Sequence, residues 1–526
     1  MQHFIAKYGD RINGVLSGLD RLVFRGSLRA ISYVRGMMGY LWKHQILLKD
    51  FGAHVLEVST RVKEASLQEA MRTGRPVQYL TRSQDDKEAI ARSIAERDQI
   101  KEGLVCVLTC VEPCQSFDIW RNKETKRLDL VLRQRKCLFL YHYWVHPVFG
   151  FMNARIQSWF PYAIQVCLNG REWLARQMDL VGVDYQRRDN CFVWVRDYVR
   201  AQQMLNQQLS ANWPKLLRQI ARRLNPIHQE VFRALPVDYY WSTFQSEWAT
   251  DIVFREASDL RRLYPFWIRH GITTFASSDV LRFLGKKIAA HGQVSGKVRA
   301  EVTSDLRRRV EGVRIKHRMG QNSLKLYDKA HTSVGSLLRV ETTINCAHGF
   351  KTFRPAEGDP GGTKKWRPMR KGIADLHRRG EVSQGSNERY LNALASVDDS
   401  TTLHECIRRL EKPVTWNGHR IRALHPFSPH DLALLQAISH GEFTINGLRN
   451  KDLQKLLYPT QAKTPQEIRR RSATVSRQIR LLRAHGILRK VQHSYRYHVT
   501  DSGRTLLTTL LAASEATVKL LNQKAA

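Results

Sequence analysis

The sequence predicts an α+β chain of several domains, and three observations predict it. Short runs alternating apolar and polar residues recur through much of its 526 residues, with the period of two that half-buried strands show. Between them lie stretches whose apolar residues stand three and four apart, the spacing of one helix face. Residues 429–515 then read helix, helix, helix, hairpin. Five consecutive segments follow: 1–130, a mixed α/β region; 131–235, an aromatic-rich sheet plus a basic amphipathic helix; 236–353, a central antiparallel-sheet domain; 354–428, a basic loop and helical connector; and 429–515, a small helical unit closed by a hairpin.

Charge narrows the function. Lys and Arg number 85 against 48 Asp and Glu, a net +37, with 12 Trp, 17 Tyr and 19 Phe beside them. Such an excess attracts polyanions, and with the aromatic content it points to DNA and/or structured RNA as partner. No apolar stretch is long enough for a bilayer, so no membrane is expected. The first residues, MQHFIAKYGDRINGVLSG, lack an apolar signal region, and the eight cysteines form no CxxC pair. Both favour a reducing cytoplasm, with the bacterial nucleoid as the setting for so basic a chain. No Walker loop, Rossmann fingerprint or HExxH is present, so no organic cofactor is expected. Nothing in the sequence speaks to oligomeric state.

In the first segment Gly52–Val58 reads as a strand, Lys63–Thr73 as a helix and Gly103–Leu108 as a buried strand. Arg25 and Arg29 are phosphate contacts or solubilising surface. In the second, strands are expected at Cys137–Val145, Phe151–Phe160 and Ala163–Leu168, with a helix opening at Asn169–Gly170. Asn153, Arg155 and Gln157 share a polar face there, and Arg155 is a candidate nucleic-acid contact. Trp213–Leu224 is amphipathic; its outer face, with Arg218 and Arg222, is a phosphate rail or a solvated surface.

The third segment carries the candidate chemistry. Tyr239–Phe244 reads as a strand, Glu247–Phe254 as a helix or a strand, Asp279–Leu284 as a helix, and Lys286–Arg309 as a basic tract. Glu247 and Asp251, four apart, are candidate ligands for Mg²⁺ or Mn²⁺, which prefer oxygen donors; a surface acid is the competing reading. Ser323–Lys329 and Leu337–Ile344 form an antiparallel hairpin across a break at Gly335 and Ser336. Alternation puts Tyr327 with Lys329 on one face and Arg339 with Glu341 on one face of the partner strand. Arg314, Lys316, Arg318 and Arg339 are expected to grip phosphate. Residues 354–372, rich in Gly, Pro and Lys, read as a flexible basic loop in which Lys364, Lys365 and Arg367 meet nucleic acid. Helices resume over Ile373–Leu410, and Pro413–Pro429 is a connector.

In the last segment helices are expected at Asp431–Ile438, from Asn446, and within Pro465–Ala484, before a hairpin of Ile487–Val491 and Tyr495–Thr500. LLRAHGILRKVQHSYRYHVTDSGR resembles the matching part of bacterial winged-helix regulators of the MarR and ArsR kind. That resemblance implies a winged helix-turn-helix. Ser472, Thr474, Arg477, Gln478 and Arg480 would then face a major groove, and Lys490, His493 and Arg496 the backbone. The KLYDK and LLRVE strands are similar to the core of phage and plasmid rolling-circle replication initiators, without their His-apolar-His pair. This second resemblance implies a mobile-element or plasmid protein that nicks and rejoins DNA. Tyr327 would be the nucleophile, Lys329 would steady the phosphate, Glu341 would hold the metal, and His317 would be a ligand or general acid/base. The competing reading is a non-catalytic nucleic-acid-binding protein, either a regulator or the protein part of a complex with a structured RNA.

Overall fold

The computed structural model describes residues 1–286, 302–309, 312–329, 336–356, 358–396, 403–439, 443, 447–462, 464–492 and 494–516. The fold is α+β. Its strands, in chain order, are β1 (Ile12–Ser27), β2 (Val77–Leu80), β3 (Gly103–Arg121), β4 (Leu128–His146), β5 (Gly150–Gln157), β6 (Ile164–Asn169), β7 (Tyr185–Arg188), β8 (Cys191–Val195), β9 (Tyr240–Phe254), β10 (Val302–Arg309), β11 (Gly312–Met319), β12 (Asn322–Asp328), β13 (Ser336–Ile344), β14 (Lys351–Arg354), β15 (Lys365–Pro368), β16 (Val414–Trp416), β17 (His419–Ile421), β18 (Leu488–Lys490) and β19 (Tyr497–Val499). Contacts gather the chain into two units, each assembled from separated segments rather than from consecutive stretches. The larger holds residues 14–251 and 341–384; the smaller holds 1–13, 252–340 and 385–526.

In the larger unit the strand order is β13-β9-β1-β6-β5-β4-β3-β2, with β2 parallel to β3. Alternation gives β4 two apolar faces. Leu140 and Trp144 pack with the helices Val34–Lys43, Phe51–Arg72 and Trp213–Leu224, while Phe139, Tyr141 and Tyr143 pack with the helix Lys87–Arg97. Gly52–Val58, expected as a strand, is the first part of the helix Phe51–Arg72. Its buried residues Val55, Val58, Ser59, Val62, Ser66 and Ala70 recur at three and four, and that stripe runs unbroken into the stretch expected to be helical. Residues 365–368, expected within a flexible loop, form β15 and pair with β14, Trp366 opposite Phe353. The Gly- and Pro-rich composition marks only the turn before that strand.

In the smaller unit β10, β11, β12 and β13 follow one another as neighbours. The expected hairpin is present: the Lys329 backbone N–H donates to Leu337 O at 2.9 Å. Ile315, His317, Met319, Leu324 and Leu326 are buried, and the alternate residues Arg314, Lys316, Arg318, Lys325, Tyr327 and Lys329 are partly exposed. A separate core joins the helices Pro429–Ile438, Asn450–Leu457, Pro465–Ala484 and Asp501–Glu515 to β18 and β19 through Leu434, Leu453, Val475, Leu482, Leu488 and Leu510. Among the described residues no helix is long and apolar enough to cross a membrane.

Candidate functional site

Three neighbouring strands of the larger unit each contribute one acid. Ser17 Oγ lies 2.8 Å from Thr250 Oγ1, and a Cβ on Gly26 would meet the Trp241 ring at 2.9 Å. The numbering falls on one strand as it rises on the other, so β1 and β9 run antiparallel. Carried along, the same register sets Asp20 opposite Glu247. From β13, on the other side of β9, comes Glu341. One carboxylate oxygen from each of Asp20, Glu247 and Glu341 lies within 4.8 Å of the other two. Asp20 is 4 % and Glu341 3 % exposed, and Glu247 is half-buried.

Neighbouring side chains aim these acids. Asn169 caps the helix Gly170–Val181 by accepting from the Arg171 and Glu172 N–H groups, and its amide donates to Asn190 Oδ1 at 2.7 Å. Asn190 Nδ2 in turn donates to Asp20 Oδ1 at 2.9 Å. The helix starts so near β1 that a Cβ on Gly170 would lie 1.8 Å from Leu19 O, so only glycine fits. That start delivers Arg171, fully buried, whose Nη2 donates to Asp251 Oδ2 at 2.9 Å and to Ala249 O at 3.1 Å, with Nε 3.8 Å from Asp20 Oδ1. Gln245 Nε2 donates to Glu247 Oε1 at 2.8 Å. Arg379, also buried, donates to Thr243 O on β9 and Ile344 O on β13, tying together the strands that carry the two glutamates. Burial lowers its pKa to about 10, which leaves it charged at neutral pH.

Of the acids expected to hold a metal, Glu247 and Glu341 therefore meet and Asp251 does not join them. It is the buried counter-ion of Arg171, a role that sequence spacing could not show because Arg171 comes from a distant helix. Asp20 was missed. Its signal is a lone carboxylate inside the apolar run Val15-Leu-Ser-Gly-Leu-Asp-Arg-Leu-Val-Phe24.

The smaller unit holds Tyr327, Lys329 and His317, but not on one surface. Tyr327, opposite Arg314, lies on the cationic face of β11 and β12. His317 points to the other face, where Ser304 Oγ is 2.7 Å from Nδ1 and Tyr390 OH is 3.0 Å from Nε2. Burial lowers its pKa to about 4. A neutral, enclosed imidazole of this kind is structural, which corrects its expected catalytic role. Arg339 is corrected as well: at 1 % exposure it cannot grip a phosphate from solvent.

Arg314, Lys316 and Arg318 do form a basic surface. Lys316 stands directly opposite Lys325. Desolvation, then Lys325, Arg318, Arg314 and Arg307, lowers the Lys316 pKa, and Arg318 also pairs with Asp305 at 3.1 Å. In the larger unit Lys364 and Lys365 are exposed and Arg367 half-buried. On the same hairpin Phe353 and Trp366 pack ring to ring at 5.5 Å, both more than half exposed. Arg218 and Arg222 are exposed and line a cavity of about 650 Å³. Arg155 is partly exposed and already paired, donating to Glu112 at 2.7 Å and to Tyr141 OH at 2.6 Å.

On the helix Pro465–Ala484, Arg477 and Arg480 are exposed and Thr474 partly so. Gln478 is buried against His430, with Nε2 of each 3.3 Å apart, and Ser472 Oγ faces Asn450 Oδ1 at 3.4 Å. Gln478 is thereby withdrawn from the surface, while Ser472 stays partly exposed. The exposed stripe is Arg469, Arg470, Ala473, Ser476, Arg477 and Arg480, so two arginines one turn earlier had been missed. Lys490 is exposed on β18 and Arg496 is partly exposed, while His493 lies outside the described residues. No protein-family model matches this chain, and neither a curated protein nor a solved structure does.

Proposed function

We propose that the protein binds nucleic acid and breaks or transfers phosphodiester bonds with the help of a divalent cation held by Asp20, Glu247 and Glu341. The observation that carries this reading is the convergence of three carboxylates from three neighbouring strands in a chain of net charge +37. Bringing acids together against their repulsion is unfavourable unless a cation or a retained proton compensates. The donor set is all oxygen and suits a hard ion such as Mg²⁺ or Mn²⁺. Such an ion, when bound, supplies positive charge to the phosphate oxygens and to the leaving oxygen. The chain's own part is to fix the donors: Asn190 and Arg171 orient Asp20, Gln245 orients Glu247, and Arg379 holds β9 against β13.

Delivery of the polyanion falls to the cationic surfaces. Tyr327 and Lys329 enter as members of the basic face of β11 and β12, and the three carboxylates need no tyrosine nucleophile. The helix Pro465–Ala484 with the β18–β19 hairpin is read as a winged helix-turn-helix. Arg469, Arg470, Arg477 and Arg480 then enter a major groove and Lys490 lies along the backbone. A bacterial nucleoid protein is the setting this implies.

The test is cleavage of end-labelled DNA and RNA, single- and double-stranded, with Mg²⁺, Mn²⁺, Ca²⁺ or chelator. Glu341→Gln and Asp20→Asn are expected to lower the cleavage rate on the order of 100-fold or more, since even partners that only orient metal ligands contribute roughly 10- to 100-fold. Binding measured by gel shift is expected to persist. Parental cleavage rates in both variants refute the assignment. Binding by the parent with no cleavage under any ion favours the non-catalytic reading.

A further inference from the structure

We infer that the hairpin of β14 and β15 is a stacking platform for unpaired bases, so that this face takes single-stranded rather than duplex nucleic acid. The inference rests on the nucleic-acid reading above but not on the carboxylate site. Both strands, Lys351–Arg354 and Lys365–Pro368, lie in the larger unit.

Pairing decides which side chains share a face. Phe353 stands directly opposite Trp366, and Lys351 opposite Pro368, so alternation puts these four on one side. The other side is anchored. Thr352 is buried, Arg354 lies 3.8 Å from Asp375 and donates to Pro368 O at 3.3 Å, and the Met369 backbone N–H donates to Phe350 O at 2.9 Å. The outer side carries the two rings at 55 % and 58 % exposure.

Lone apolar side chains on a surface are ordinary. Here two aromatic rings stand side by side, centres 5.5 Å and planes 51° apart, a tilt that keeps them from stacking on each other. Arg378 lies over the indole, 5.4 Å from its centre, and is itself fixed by donating to Lys351 O at 3.1 Å and to Glu381 Oε2 at 2.7 Å. A ring held before binding has less freedom to lose on binding.

Charge selects the partner. Lys351, Lys364 and Lys365 are exposed beside the rings, and Asp359 is an exposed acid of the connecting turn. Cations next to aromatic faces match the two surfaces of a nucleotide chain, its phosphates and its bases. In a duplex the base faces are stacked on one another and only their edges reach a groove. A platform of rings therefore meets bases only where they are unpaired.

The experiment is fluorescence anisotropy of short labelled strands with the full chain, in chelator so that no strand is cut. The probes are oligo-dT, oligo-rU, an abasic strand of equal length and a duplex. Phe353→Ala with Trp366→Ala should weaken oligo-dT and oligo-rU on the order of 10-fold or more, the scale of lost base stacking. Affinity for the abasic strand and the duplex, the salt slope and the thermal melt should stay as in the parent, because the rings neutralise no phosphate and are not part of a core. Phe353→Tyr with Trp366→Tyr, which keeps the ring faces, should bind as the parent does. Unchanged oligo-dT affinity in the alanine variant, with the parent binding normally, overturns the platform alone; loss of binding to phosphatidylserine vesicles in that variant then makes the face a lipid contact. An equal loss for oligo-dT and the abasic strand also overturns it. If the parent binds no strand and no duplex, the nucleic-acid reading falls and this inference with it.

Discussion

Replacing Arg171 with methionine tests whether Asp251 is its buried counter-ion rather than a member of the acidic cluster. Arg171 is fully buried between Asp251, 2.9 Å from Nη2, and Asp20, 3.8 Å from Nε. Removing the guanidinium leaves Asp251 as a buried carboxylate without its cation, and losses of this kind cost about 3–5 kcal/mol. The hydrogen bond to Ala249 O is lost with it, contributing about 1 kcal/mol within that range. Urea unfolding of the full chain, followed by tryptophan fluorescence, reads the change as a fall in the midpoint. Arg171→Met with Asp251→Leu should recover much of the loss, because an apolar pair can replace a buried ion pair at little cost. Asp251→Asn should leave divalent-ion binding intact. A loss under about 1 kcal/mol in Arg171→Met refutes the buried pair. Abolished ion binding in Asp251→Asn places that residue among the ligands after all.

Three further outcomes follow from geometry. His317 has a folded pKa of about 4, against about 6.5 when free. The unfolded chain therefore takes up a proton that the folded chain refuses, so the stability tied to this group is complete above about pH 6.5 and falls by roughly 3 kcal/mol as pH drops to about 4. Urea midpoints across that window should lose this slope in His317→Gln, and an equal slope in parent and variant refutes it. Lys316→Gln should raise stability by a few tenths to about 1 kcal/mol by relieving the like charge of Lys325, while reducing the salt dependence of nucleic-acid binding by about one phosphate contact; binding titrations at several salt concentrations would read it, and an unchanged salt slope contradicts it. Arg477→Ala with Arg480→Ala should weaken duplex DNA binding, whereas Gln478→Ala should lower stability and leave affinity intact; gel shifts and melts distinguish these, and a binding defect in Gln478→Ala returns that residue to the groove.

Local pattern in the sequence reached as far as local pattern can. Alternation placed Glu341 on a strand, Asn169–Gly170 announced the helix that delivers Arg171, and 3.6-residue spacing bounded Trp213–Leu224. Alternation says which residues share a face; it does not say which strand lies alongside. Asp20 stands opposite Glu247 only because β1 pairs with a strand more than two hundred residues away, and Asp251 left the ligand set because of a cation 80 residues away in sequence. Gln478 failed for a related reason. The helix was recognised, but the rotation that buries it against His430 depends on a neighbour that periodicity does not identify.

The same limit explains why charge was legible in amount and not in arrangement. An excess of cations sets affinity for a polyanion wherever they sit on the surface. The chain spends some of its arginines elsewhere: Arg171 and Arg379 are buried, one paired with Asp251 and the other bonded to the carbonyls of Thr243 and Ile344. Desolvating a guanidinium is unfavourable, so burying it is sustained by what it holds. Arg379 holds β9 to β13, and Arg171 holds Asp251 on β9 while reaching Asp20 on β1. Those are the three strands that bring Asp20, Glu247 and Glu341 together. Two buried cations thus hold the strands that carry the three carboxylates.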